Sequence, residues 1–479
     1  MLDFAPMQPR LVPILLCAAL VGCRNPPIES DDPVEPDPDA APIEVPEDNV
    51  ANAIGDCLGY YREPEEYPNQ LAAGSELSRY TLADPEAVCN DGTRAVMYVR
   101  AATSEALANV WSIHLQGGGG CGSYLSCALR WCGLDYYDSS KMSSRDLPLN
   151  IAGFGVYDDA DANQLAGANQ VFFYYCSSDA WRGQGSGAYD PGDLEIPEDL
   201  PAGVEVPDEL PSYTMFRRGH TILASGLDEL QEGLIAQDGE ALPPLDDAEI
   251  VLLNGTSGGS NGGRANADYV RARLSAHGTD VLAVFDAAHV PLAAHLPGPY
   301  GSALDAYKEQ AWQQSLDTED LPFMDETCWD AWGGTADEQR CYDDDYVMMN
   351  HITTPFFVRQ DLRDIGGASE VIGLPEDEHE AAVVAMFGAL ADIQSTAVEG
   401  AEIAVAPGAY GPNCSQHVAL ESTQWWALAA VDDGFGTEWS FQQAVIAWYQ
   451  GDAVAIVDEP LIGSGDGPRS RCEDVDDEH

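Results

Sequence analysis

Ser257 stands in Gly255-Thr256-Ser257-Gly258-Gly259, between the continuously apolar run EIVLLN (249–254) and a stretch of helical periodicity carrying Ala265, Val270 and Leu274. G-x-S-x-G between a buried strand and a helix is the pattern of a nucleophile elbow, where a sharp turn lifts a serine hydroxyl above the strand end. Glycines two before and two after the serine remove side chains that would clash in so tight a turn. The N–H of Gly258 opens the helix and can donate to a developing oxyanion. A phosphate-binding turn competes with this reading, but no Gly-Lys-Ser/Thr follows and neither lysine of the chain, Lys141 or Lys308, lies near in sequence. A second motif, HLQGGGGCGSYLSC (114–127), ends a strand pattern in four consecutive glycines, Gly117 to Gly120. Such a loop can turn backbone N–H groups inward and supply the other half of an oxyanion hole. Together the motifs point to acyl transfer through a serine nucleophile.

That chemistry needs a base and an acid to orient it. In the α/β-hydrolase order both follow the serine, acid first. The histidines after Ser257 are His277, His289, His295, His351, His379, His417 and His479. His379 lies in the acidic run EDEHE and reads as solvated, and His479 is terminal. His417, in GPNCSQHV, follows by three residues a cysteine that could anchor its loop. Asp361 and Asp364 follow the strand pattern PFFVRQ, where a triad acid belongs, and spacing alone does not choose between them.

The elements that must position these residues follow from periodicity. Strand patterns fall at 95–100, 110–116, 171–175, 249–254, 281–286 and 355–360, and helix patterns at about 214–236, 260–276, 380–397 and 440–450. Strand and helix alternate through the centre, and runs such as IVLLN are apolar throughout, as for strands covered on both faces. The expected fold class is α/β: an α/β-hydrolase-like, mostly parallel, doubly wound sheet with helices on both faces. IPEDLP (196–201) recurs as VPDELP (206–211), too few copies for a solenoid, so about 185–213 reads as a surface insertion.

The 479 residues suit one large α/β catalytic domain with appendages, and 45% apolar and 9% aromatic content excludes a disordered chain. With 81 acidic and 21 basic residues the formal charge is −60, which excludes a general nucleic-acid binder and docking on anionic lipid through a basic patch. All the cations but Lys141 and Lys308 are arginines, as expected either of a salt-adapted surface or of a GC-rich genome. The apolar run from Leu11 to Gly22 is too short to span a bilayer and reads as a signal-peptide core. It ends Leu20-Val21-Gly22-Cys23, which resembles a bacterial lipobox and so implies a signal over 1–22 and lipidation of Cys23. Residues 23–50, proline-rich and acidic, read as an extended tether, and 51–479 as a single catalytic domain. The expected location is the cell envelope, as an outer-membrane or surface lipoprotein, or outside the cell, with the membrane touched only through the lipid. Ten cysteines beyond Cys17 and Cys23 predict up to five disulfides. Their spacings fit no zinc site, so no metal is expected.

In this order the motifs resemble the pectin acetylesterase and Notum family of extracellular serine carboxylesterases. QGGGGCGSYLSC is similar to that family's oxyanion loop, YCSSDAWRG (175–183) to its Tyr-Cys-x-Ser block, NGTSGGSNG to its elbow, and PFFVRQDLRD with the later CSQH to its acid strand and base segment. The likeness spans about 90–420. It implies Ser257 as nucleophile, Asp364 as acid with Asp361 as the alternative, His417 as base, and the N–H groups of Gly118, Gly119 and Gly258 as oxyanion donors. It also implies a Cys121–Cys127 disulfide and reads YDDADAN (157–163) as a connecting loop. Gly120, Gly258 and His289 depart from the family pattern, and His289 is expected to add a polar group near the site. The expected function is hydrolysis of ester substrates, acetylated polysaccharide among them, by a monomer with no cofactor. The alternative is a non-catalytic surface binding protein on a hydrolase fold.

Overall fold

The computed structural model describes residues 76–131, 139–160, 162–189, 213–235, 241–287, 289–319, 321–400, 406–427, 430–432 and 437–458. Chain contacts separate residues 1–44 from 45–479, and all the described residues belong to the second unit. The signal, the tether, Cys23 and the repeated IPEDLP and VPDELP lie outside them.

In chain order the strands are β1 (Leu77–Thr81), β2 (Val96–Arg100), β3 (Val110–Leu115), β4 (Asn150–Ile151), β5 (Asn169–Phe173), β6 (Gly185–Tyr189), β7 (Tyr213–Arg217), β8 (Leu234–Ile235), β9 (Ala241–Leu242), β10 (Ile250–Thr256), β11 (Asp280–Asp286), β12 (Phe356–Arg359), β13 (Gly408–Gly411), β14 (Ala430–Asp432), β15 (Glu438–Ser440) and β16 (Ala455–Val457). Ten form one sheet in the order β16-β13-β12-β11-β10-β3-β5-β2-β1-β4. The seven from β16 to β5 pair in parallel, and β2, β1 and β4 add an antiparallel edge. Side chains alternate between the faces of a sheet, so the unbroken burial of β3, β5 and β12 means both faces are covered. Helix α3 (Gly258–Ser275) packs on β3, β10 and β11, α8 (Glu376–Gly400) on β13 and β16, and α10 (Phe441–Tyr449) on β12 and β13. The expected α/β class and mostly parallel, doubly wound sheet are what the structure has.

The winding fixes where a site can form. From β3 the chain moves outward to β5, then returns to lay β10 on the other side of β3 and continues to β11, β12, β13 and β16. Strand order therefore reverses between β3 and β10, and the carboxyl ends at such a point open a crevice. In register Leu115 sits opposite Gly255, so the four-glycine loop and the elbow leave the sheet side by side.

Two expectations need correction. The helix pattern beginning near 214 is a strand first: Tyr213–Arg217, with alternating β-formers, pairs antiparallel with Gly185–Tyr189, and α2 covers only Gly219–Glu232. His379 is buried, not solvated, because α8 turns it inward onto the hydroxyl of Ser369 at 3.1 Å, while the acidic Glu376 and Asp377 stay exposed. Disulfides join Cys89 to Cys176, Cys121 to Cys127 and Cys328 to Cys341, and Cys414 is also disulfide-bonded. Cys57, Cys132 and Cys472 lie outside the described residues.

Gly259 marks the tightest approach of α3 to the sheet. A Cβ there would lie 1.9 Å from the carbonyl oxygen of Leu115, a distance only a backbone shift can relieve. Gly259→Ala is expected to cost about 3 kcal/mol through overpacking, which lowers the thermal midpoint by roughly 3–5 °C in a domain of this size. A melting curve superimposable on the wild type would show that the helix can withdraw from the strand.

Candidate active site

β10 delivers Ser257 and α3 carries the chain away from it. Ser257 lies at φ 50°, ψ −122°, a conformation that a side chain rarely adopts and that persists only when its surroundings enforce it. Here its N–H donates to the carbonyl of Asp286 on β11 at 3.0 Å, and the N–H of Asn261 donates to its own carbonyl at 3.1 Å. The strand thus cannot continue straight, and the hydroxyl is pushed above the sheet.

The hydroxyl meets an imidazole there. His417 Nε2 is 2.8 Å from Ser257 Oγ, and His417 Nδ1 is 3.0 Å from both carboxylate oxygens of Asp364. A carboxylate only accepts, so Nδ1 carries the proton and Nε2 is free to take one from the serine. Burial disfavours the charged imidazole, but the hydrogen bond and charge of Asp364, helped by Asp286, outweigh it and raise His417 above its ordinary value. Asp364, itself buried, also accepts from Gln360 Nε2 at 3.0 Å.

Asp361 is elsewhere. Its carboxylate pairs with Arg359 and accepts from the N–H of Gln416 at 2.7 Å, with no contact to His417. Burial raises it to about 7 against the pull of Arg359.

The four-glycine loop is held by its carbonyls. That of Gln116 accepts from Trp181 Nε1 at 3.0 Å, that of Gly118 from Arg130 at 2.6 Å, and that of Gly119 from the Tyr175 hydroxyl at 2.8 Å. Because a trans peptide points its N–H opposite its C=O, fixing the Gly118 carbonyl aims the Gly119 N–H the other way. Gly118 and Gly119 adopt φ 148° and 63°, which suits glycine. A Cβ built on Gly258 would lie 3.6 Å from the Gly119 nitrogen and 3.9 Å from the Gly118 nitrogen, so these amides converge beside the elbow. Among the described residues neither amide has a hydrogen-bond partner. The block YCSSDAWRG supplies the scaffold: buried Asp179 accepts from Ser177 Oγ and from the N–H of Trp181, Gly183 and Gly219 at 2.6–3.2 Å.

The site opens into a cleft of about 1330 Å³ lined by Ser257, His417, Asp364, Gly119 and Gly258, with Gly120 and His289 in its wall. His289 is buried with Nδ1 against Arg264 at 3.0 Å and Asp345 at 3.1 Å, and burial together with Arg264 lowers its pKa. Among the described residues no group of three His, Cys, Asp or Glu could hold a metal, and no helix is long and apolar enough to cross a membrane.

Sequence reasoning passed over Asp286 and Arg359. Both end apolar strands, VLAVFD and PFFVR, and a charge closing a buried strand is the signal that could have found them. Asp286 Oδ1 accepts from Arg359 at 2.9 Å and its Oδ2 from the N–H of Ala419 and Leu420 at 2.7 Å each. Arg359 in turn donates to the His417 carbonyl at 3.2 Å.

The pectinacetylesterase family profile matches residues 75–196. The human palmitoleoyl-protein carboxylesterase NOTUM is 32% identical over 115 residues, 23% of this chain and 21% of its own length. The chain thus spans about a fifth of that relative. An inactive palmitoleoyl-protein carboxylesterase, notum1b of Danio rerio, is 33% identical over 112 residues, 22% of this chain and 74% of its own length. The solved Drosophila Wnt deacylase Notum superposes with a TM-score of 0.55 over 80% of this chain and 97% of that one, at 21% identity, a likeness of fold. With the profile match and the covered length of notum1b, the chain belongs to the pectin acetylesterase and Notum family.

Proposed function

We propose that the protein is a serine carboxylesterase. Membership does not settle this, since one relative is named inactive. The observation that carries the reading is the unbroken line from Asp364 through His417 to Ser257 at 3.0 and 2.8 Å, with the serine on a strained elbow. His417 takes the Ser257 proton as the hydroxyl attacks an ester carbonyl, and Asp364 holds the imidazole tautomer and stabilises the imidazolium. The N–H groups of Gly118, Gly119 and Gly258 receive the oxyanion, each donor contributing about 3 kcal/mol to the transition state. His417 returns the proton to the departing alcohol, and water activated by the same imidazole then releases the acid from Ser257.

The cleft supports a short acyl group on a neutral, hydroxyl-rich alcohol such as acetylated polysaccharide. Among the described residues that line it, only Val290, Ile365, Tyr307 and Tyr342 are large and apolar or aromatic, too few for a lipid tunnel. Asp305, Glu309, Asp337 and Glu370 line it as well. Its cations Arg182, Lys308 and Arg340 already hold Asp344, Asp343 and Asp337, and Arg217 donates to the carbonyls of Ser178 and Cys121. A polyuronate would enter against that field. The disulfides fit export, and anchoring through Cys23 follows from the lipobox-like sequence.

Ser257→Ala is expected to lower p-nitrophenyl acetate turnover by about a millionfold with an unchanged thermal midpoint, and to abolish fluorophosphonate labelling. A wild-type chain that folds but neither turns over nor labels would favour the binding-protein reading. Across p-nitrophenyl esters of increasing chain length, kcat/KM is expected to peak at acetate; a palmitate optimum would overturn the short-acyl assignment.

The base works only when neutral. Its raised pKa therefore places the acid limb of kcat/KM above the ordinary 6.5 of histidine, with activity lost as pH falls through that value. Asp364→Asn is expected to cost about 10⁴-fold and to move the residual limb to lower pH. Asp361→Asn leaves the contacts of His417 with Ser257 and Asp364 in place and is expected to cost far less. Comparable losses in the two variants would return the acid's role to Asp361.

A further inference from the structure

Beside the nucleophile, and not among the residues that line the cleft, lies a polar cluster that the ester chemistry does not use. Thr256 and His114 are fully buried and Glu421 largely so. The Thr256 hydroxyl is in close hydrogen-bond contact with Glu421 Oε1, and His114 Nε2 is 3.1 Å from the same oxygen. A carboxylate only accepts, so both neighbours donate and the hydrogen-bond directions are fixed. With its proton committed to Glu421, Thr256 Oγ1 presents lone pairs, and the N–H of Gly117 donates to it at 3.2 Å. The other end of that peptide, the Gln116 carbonyl, is held by Trp181 Nε1 at 3.0 Å. The peptide plane that begins the four-glycine loop is thus gripped at both ends, and the next two amides are those of Gly118 and Gly119.

Each member of the cluster comes from a different catalytic segment. His114 is on β3, which leads into the glycine loop; Thr256 immediately precedes Ser257; Glu421 follows His417 by four residues. We infer that Glu421, acting through the Thr256 hydroxyl, is a positioning residue that holds the oxyanion-hole loop in register with the nucleophile and the base. The inference rests on the esterase reading, since it gives the loop's amides a charge to stabilise. Burial opposes ionisation of Glu421, but its hydrogen bond with His114 and the charge there outweigh it and keep the carboxyl below its usual range.

The test compares four variants with p-nitrophenyl acetate. Thr256→Val keeps the shape and removes the hydroxyl; Glu421→Gln keeps the shape and adds a competing donor. Each is expected to lower kcat about tenfold with KM within about twofold, less than the roughly 100-fold loss of a whole oxyanion donor. The acid limb of the pH profile is expected to stay in place, because His417 and Asp364 are untouched. The double variant is expected to lose no more than about tenfold, since both changes break one chain. Thr256→Ser, which restores the hydroxyl, is expected to recover most of kcat. The inference is overturned if Glu421→Gln retains wild-type kcat, if the two losses multiply to about 100-fold, or if Thr256→Ser is as slow as Thr256→Val. Should Glu421→Gln fail to fold by circular dichroism, the Val and Ser variants of Thr256 decide alone. A folded wild-type enzyme with no turnover at all would instead remove the esterase reading, and this inference with it.

Discussion

Asp286 is the residue on which the site is hung. It closes β11, the strand beside the nucleophile strand, and each of its three oxygens holds a different segment of the site. Its carbonyl receives the Ser257 N–H, one carboxylate oxygen receives Arg359, and the other receives the N–H groups of Ala419 and Leu420. Burying that charge is costly, and the cost is offset because Arg359 is buried beside it and the other carboxylate oxygen accepts two backbone N–H groups. Removing Arg359 would leave Asp286 and Asp361 buried without their shared cation, whereas the intact pair locks three strand ends to one another. The geometry follows from the register of a parallel sheet. Asp286 sits opposite Thr256 on one side and Arg359 on the other, so the ion pair and the elbow share one row of residues.

The same row sets the electrostatics. Asp286, Asp361 and Asp364 gather around a single arginine, and the excess negative charge is available to the imidazole, which becomes cationic in the proposed mechanism. Asp364 touches that imidazole directly. Asp286 acts on it at a distance while fixing the backbone beyond it, so orientation and charge come from one arrangement.

Much of this was legible in the sequence, for identifiable reasons. The central strands announce themselves because a strand covered on both faces must be apolar at every residue, and the elbow because its turn tolerates few residue types beside the serine. The glycine loop could be read as an amide donor, but what aims its amides could not, since Arg130, Tyr175 and Trp181 reach it from other parts of the chain. The choice between Asp361 and Asp364 was closed to spacing because both follow the same strand, and only the fold shows which carboxylate meets His417. Tyr213–Arg217 was misread because helical periodicity downstream extends into it, while its strand partner lies across the inserted segment. His379 misleads because it stands in the acidic first turn of a helix whose inward face it shares with Ala382, Val383 and Met386, and composition does not show that face.

The doubly wound order has a consequence for how the molecule matures. Ser257 and His417 are 160 residues apart, and the base arrives only after β11, β12 and β13 have been added in turn beside the nucleophile strand. Contacts of such separation are closed late, because the loop entropy must be met before the contact rewards it. A chain still emerging, or clipped anywhere before β13, therefore carries an elbow with nothing to activate it. Under the proposed mechanism, reactivity is withheld until the sheet is nearly whole.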